Sequence, residues 1–150
     1  MADPRVTAIG LAALLAASSA VRADLYVWTN SPSEAAPYDT WAKACRNLKT
    51  AVDFAQTNLS ETTLWMTNGA YDIAARIDVT RSNLTIRSVD GAAATIAKGN
   101  GSVQVFYLCG SNLTIEGLTI RDGYSTAGGG GARVDGTDCF FRHVGQGGQQ

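Results

Sequence analysis

The chain has 150 residues, and its formal charge of −1 with a pI near 5.7 argues against electrostatically driven binding to nucleic acid or anionic membrane, which calls for a basic patch. Hydrophobic content of 45%, charged content of 17%, 16 Gly and 3 Pro exclude a wholly disordered chain and fit one ordered domain with many tight bends.

Residues 1–23 predict a secretory signal. Arg5 precedes an apolar run from Val6 to Ala17, and Val21-Arg22-Ala23 sets small side chains where a signal peptidase needs them, with cleavage before Asp24. The run is too short to cross ~30 Å of hydrocarbon. A buried helix is the competing reading, but no polar face recurs at helical spacing. The expected location is therefore secreted or at the cell surface, and no later stretch is long enough for a transmembrane segment.

Residues 24–63 predict a strand and a helix. Leu25-Tyr26-Val27-Trp28 reads as a short strand, closed by a loop through Pro32 and Pro37. Asp39 or Thr40 can cap a helix over Trp41–Ala55, where Trp41, Ala44, Cys45, Leu48, Val52 and Ala55 form one apolar stripe. Such a helix suits the open first rung of a solenoid, and a partner-binding helix is the alternative.

Residues 64–144 predict the rungs. Leu64-Trp65-Met66 reads as a strand and Asn68-Gly69-Ala70-Tyr71 as a turn. Ser82-Asn83-Leu84-Thr85-Ile86 returns as Ser111-Asn112-Leu113-Thr114-Ile115 and, degraded, as Thr137-Asp138-Cys139-Phe140-Phe141, at spacings of 29 and 26 residues. Periods of that size mean stacked units. Alternation puts Ile77, Val79, Leu84 and Ile86 inside the first unit. Phe106, Leu108, Leu113 and Ile115 follow in the second, and Ala132, Val134, Cys139 and Phe141 in the third. Asn83, Asn112 and Asp138 share a column at a sharp bend, because Asn and Asp enter the left-handed region most cheaply. Asn83 and Asn112 also head glycosylation sequons, a weaker signal. Arg87, Glu116 and Arg142 share another column, read as neighbouring ion pairs, with an acid flanked by two arginines in a groove as the functional alternative. Residues 145–150 are rich in Gly and Gln and predict a disordered or truncated end.

Across 64–141 the pattern resembles the right-handed parallel β-helix of the pectin-lyase-like superfamily. The carrying residues are Trp65 to Tyr71, Leu84 to Gly91, and Leu113 to Gly123 followed by Gly128-Gly129-Gly130-Gly131-Ala132. The second half is similar to the Gly-Gly-Ala repeats of polymorphic outer-membrane proteins. This resemblance implies a right-handed parallel β-helix, and the repeats of this chain make it an all-β solenoid of about three rungs with an N-terminal amphipathic capping helix; members of the superfamily usually have many more rungs, so the chain reads as the front of a longer protein. Three rungs with an open end would leave strand edges prone to end-to-end or edge association.

The chemistry such folds can carry is not matched by these residues. A lyase would need clustered carboxylates for Ca²⁺ and a base, but Asp78 has Tyr107 and Arg133 as column mates, and Asp90, Asp122 and Asp135 share no column. A hydrolase would want two facing carboxylates. His143 has no evident Ser or Cys partner, and the four glycines at 128–131 lack the Lys-Ser/Thr of a phosphate loop. Cys45, Cys109 and Cys139 have no metal-ligand spacing and are expected to be free, with a Cys109–Cys139 bridge as the other option. No catalytic, cofactor or metal residue is therefore assigned. The function expected is a non-catalytic exported segment for surface display, adhesion or scaffolding, with carbohydrate or cell-surface components as partners. Two alternatives remain: the N-terminal part of a polysaccharide lyase or glycosidase, and a truncated frame without function of its own.

Overall fold

The computed structural model describes residues 22–58 and 61–147, so most of the expected leader and the last three residues lie outside it. Twelve strands follow in chain order among the described residues. They are β1 (Arg22–Val27), β2 (Glu61–Met66), β3 (Gly69–Asp72), β4 (Ile77–Val79), β5 (Leu84–Ser88), β6 (Thr95–Lys98), β7 (Phe106–Leu108), β8 (Leu113–Glu116), β9 (Thr119–Arg121), β10 (Ala132–Val134), β11 (Cys139–Arg142) and β12 (Gly145–Gly147). Each coil visits three sheets in turn, ordered β1-β2-β5-β8-β11, β3-β6-β9-β12 and β4-β7-β10, called first, second and third below. All strand pairs are parallel. The chain is an all-β parallel solenoid of about three turns.

The gap-free alignment of the repeats is the observed register. Leu84 pairs with Leu113 and Leu113 with Cys139, while Ile77 pairs with Phe106 and Phe106 with Ala132. The core lies between the sheets. The first contributes Leu64, Met66, Leu84, Ile86, Leu113 and Ile115, the third Ile77, Val79, Phe106 and Leu108, and the second Tyr71, Ala97 and Ile120. In the last coil the same columns are only half-buried or exposed, since no strand lies beyond them among the described residues.

Three expectations need correction. The helix α1 spans Leu48–Asn58 instead of starting at Trp41, where only a 3-10 turn, Trp41–Lys43, forms. Ala44 and Cys45 are buried for a different reason: Cys45 N donates to Tyr26 O and Cys45 O accepts from Trp28 N, each at 2.9 Å, bridging to Val27 at the edge of β1. A backbone committed to that bridge cannot be helical. Asn47 Oδ1 then accepts from Thr50 N at 3.1 Å and caps α1, while Thr40 caps the 3-10 turn through Lys43 N. Second, Gly69–Asp72 is a strand, not a turn; the bend lies at residues 67–68, beside Gly69 with φ 140°. Third, of the end expected to be disordered or truncated, residues Gly145–Gly147 form the strand β12, which pairs with β9.

Helix α1 buries Leu48, Ala51, Val52 and Ala55 and packs on β1, β2 and β4. Its Gln56 finishes the edge of β4: Nε2 donates to Asp78 O at 2.9 Å, and Oε1 accepts from Thr80 N at 2.8 Å. The carboxamide stands where the peptide group of a preceding strand would stand. Replacing it by an isosteric apolar group, Gln56→Leu, is expected to cost about 1–2 kcal/mol by leaving both backbone groups without their partner. The urea midpoint checks this, and an unchanged midpoint would mean that water satisfies the edge equally well.

The corner from third to first sheet always has four residues, 80–83, 109–112 and 135–138. Its last position is left-handed throughout, with φ of 64° at Asn83 and 54° at Asn112 and Asp138. Asn112 Nδ2 also donates to Asn83 Oδ1 at 2.9 Å, tying successive coils. The other two corners vary, from residues 67–68 to 89–94 and 117–118, and from 73–76 to 99–105 and 122–131.

Candidate functional site

Parallel register turns every outward residue type into a column, so the outer faces can be read directly. On the first sheet one column is Asp24, Thr63, Thr85, Thr114 and Phe140, and the next is Tyr26, Trp65, Arg87, Glu116 and Arg142. A cleft of about 480 Å³ runs over the first of these, lined by Asp24, Thr63, Thr85, Asn83 and Asn112. Beside it lies an aromatic strip. Trp41 meets Tyr26 edge-on with ring centroids 4.7 Å apart, Trp65 follows one strand on, and the Arg87 guanidinium sits 5.4 Å from the Trp65 centroid. Arg87 then pairs with Glu116 at 3.5 Å.

The expected column of alternating charge is therefore half realised. Arg142 shares the register of Glu116 but lies over the Phe140 ring, 5.6 Å from its centroid. The second neighbour of Glu116 is His143, whose Nδ1 is 3.9 Å away. That approach was hidden in the sequence because it depends on the left-handed turn at His143, φ 50°.

The third sheet carries a second cluster. Arg76 pairs with Asp78 at 2.6 Å and stacks over Tyr107, the column mate of Asp78, at 4.7 Å. Arg133, the next in the column, stacks on the same ring at 5.5 Å and pairs with Asp135 at 3.0 Å. Tyr107 donates its hydroxyl proton to Asp135 at 2.7 Å, a contact between residues of different columns that the repeat alignment could not show. The Arg133 and Tyr107 hydrogen bonds hold the Asp135 carboxyl below the usual carboxylate range, and the Asp135 carboxylate pushes the Tyr107 phenol up to about 12. Both groups are thereby fixed in one protonation state at neutral pH.

The pH dependence follows with opposite signs. A lowered Asp135 pKa contributes stability that is fully present above the unfolded value of about 3.9 and is lost as pH falls through the folded value. A raised Tyr107 pKa contributes stability that is fully present below about pH 10 and is lost as pH rises through about 12. In a titration of tyrosinate absorbance, one tyrosine should ionise near 12 and move down in Asp135→Asn, which should also flatten the acid limb of the melting curve. No change in either limb would show that the pair has no energetic coupling.

The remaining candidates serve corners. Asp90 accepts from Thr67 Oγ1 at 2.9 Å and Asn68 N at 2.7 Å, closing the bend before β3. Asp122 is left-handed, φ 56°, and lies 3.5 Å from Arg121. Gly128 and Gly129 have positive φ in the turn before β10, and Gly129 O accepts from the buried Gln104 amide at 2.6 Å. All three cysteines are free, and burial pushes the Cys45 thiol up to about 11. Among the described residues no three His, Cys, Asp or Glu side chains gather as a metal-holding group, and no helix is long and apolar enough to cross a membrane. No family model, curated protein or solved structure matches the chain.

Proposed function

We propose that this chain is a non-catalytic solenoid segment of an exported protein, secreted or at the cell surface, with a leader at residues 1–23. It belongs with the right-handed β-helices of pectin-lyase-like type, close to the repeats of polymorphic outer-membrane proteins, and serves adhesion and scaffolding. The observation that carries this reading is the outer face of the first sheet. There Tyr26, Trp65 and Arg87 stand one strand apart beside the column of Asp24, Thr63 and Thr85. Aromatic faces and guanidinium groups next to a row of hydroxyls suit the ring faces and hydroxyls of an extended polysaccharide better than a small ligand enclosed on all sides.

The test is affinity electrophoresis of the full chain through gels holding neutral or acidic polysaccharides, with release of unsaturated or reducing ends followed in parallel. Retardation by at least one polymer, lost in Trp65→Ala and unaccompanied by cleavage, is expected. Free migration through all the gels would overturn the adhesion reading, and cleavage would overturn its non-catalytic character. Fusing residues 1–23 to a reporter tests export separately.

A further inference from the structure

The two outward columns of the first sheet differ in what their polar groups are engaged with. In one, Arg87 holds Glu116 at 3.5 Å and lies over the Trp65 ring, so its charges answer each other. In the other, Asp24, Thr63, Thr85 and Thr114 follow strand by strand. Among the described residues, none of these four side chains has a hydrogen-bond or ion-pair partner within the protein. The cleft over Asp24, Thr63 and Thr85 is walled by Asn83 and Asn112, whose carboxamides bond each other at 2.9 Å. What this column holds out to a ligand is three hydroxyls and one carboxylate, with no cation.

We propose that the ligand of this face is a neutral polysaccharide of equatorially linked pyranose rings, and that Asp24 is the residue selecting it over an acidic polymer. The proposal deepens the adhesion reading and rests on it. Adjacent strands lie about 4.8 Å apart, close to the advance of one ring in an extended chain of this kind, so consecutive rings meet Asp24, Thr63, Thr85 and Thr114 in turn. Each threonine hydroxyl donates to or accepts from a sugar hydroxyl, and the carboxylate accepts from one or two, in bonds stronger for its charge. Tyr26 and Trp65, two residues further along the same strands as Asp24 and Thr63, flank the chain with apolar ring surface. A uronate polymer fits less well for a reason of charge. Its carboxylates would stand against Asp24 without a free guanidinium to offset them, since Arg87 already serves Glu116. Removal of the leader before Asp24 would add an α-ammonium on that same residue and bring the column to zero net charge, which still gives an acidic polymer no net attraction.

The experiment compares matched polymers in affinity electrophoresis of the full chain at low salt: soluble neutral β-1,4-linked glucan and mannan, each against its form oxidised at C6 to the uronate. The neutral form of at least one should bind more tightly than its uronate. Asp24→Asn should narrow that preference about two- to fivefold, the effect of one exposed charge contact, through tighter binding of the uronate. Asp24 is exposed, so the melting temperature of the variant should stay where it was and separate a loss of selectivity from a loss of fold. Affinity for neutral oligomers should rise with length to about four rings, one for each member of the column, and then level off. Equal or tighter binding of the uronate by the unaltered chain overturns the proposal and leaves the adhesion reading standing. So does a preference that Asp24→Asn does not change, or a length dependence that levels off at a single ring. Binding found only with other polysaccharides likewise overturns this proposal alone, whereas binding to none overturns the adhesion reading with it.

Discussion

Phe106→Ala is expected to lower the unfolding free energy by about 3–5 kcal/mol. The ring is 0% exposed in the middle strand of the third sheet, with Ile77 on one side and Ala132 on the other in its column. Ala132 is too small to collapse into the space, and the backbone on both sides is held by ladder hydrogen bonds, so the cavity would persist. Phe141→Ala removes the same atoms from a position 40% exposed, and should cost less than half as much. Urea unfolding of both variants checks the pair. Equal losses would mean that the open end is already covered in solution.

Gly110→Ala is expected to destabilise by about 1–3 kcal/mol, reversing the gain of about 0.4–1 kcal/mol that a compatible Gly→Ala change brings through the unfolded state. A Cβ there would collide with the carbonyl group of Arg81, its carbon 2.6 Å away, and the obstacle is backbone with no rotamer to adjust. Gly136, next in the column, would likewise collide with the Gly110 carbonyl. Arg81 opens that column and carries a full side chain because what lies before it is α1, whose Gln56 accepts from Arg81 N at 3.2 Å. A thermal melt decides the matter: an unchanged or raised midpoint would show that successive coils can separate locally without loss.

The register of the first and third sheets was legible because the four-residue corner joining them keeps the strands in phase from coil to coil, so Ser-Asn-Leu-Thr-Ile could be aligned without a gap. The left-handed column was legible for the same reason, since Asn83, Asn112 and Asp138 recur where the chain must bend. The second sheet was not. Its inward column, Tyr71, Ala97 and Ile120, has no common size or type, and the corners before it differ in length, so no fixed period connects its members. The helix start misled because Ala44 and Cys45 are buried at helical spacing by a backbone bridge to β1, a long-range pairing that local periodicity cannot distinguish from a helical stripe. In the candidate site, columns were readable and diagonals were not. Arg87–Glu116 followed from spacing, whereas Tyr107–Asp135 and His143–Glu116 depend on side chains leaning across columns.

The unequal corners divide the chain into parts that can and cannot change length. Between β5 and β6 and between β9 and β10 the chain already carries 89–94 and 122–131 where other coils manage with shorter links, and strand pairing on either side is undisturbed. New sequence entering there would hang from the outside of the stack as a loop, free to acquire a binding role without renegotiating the core. The corners at 80–83, 109–112 and 135–138 allow no such freedom. One added residue would move the left-handed turn and carry every inward side chain of the following strand to the solvent side. Diversification of this protein is thus channelled to two of the three vertical edges of the stack, while the third keeps count.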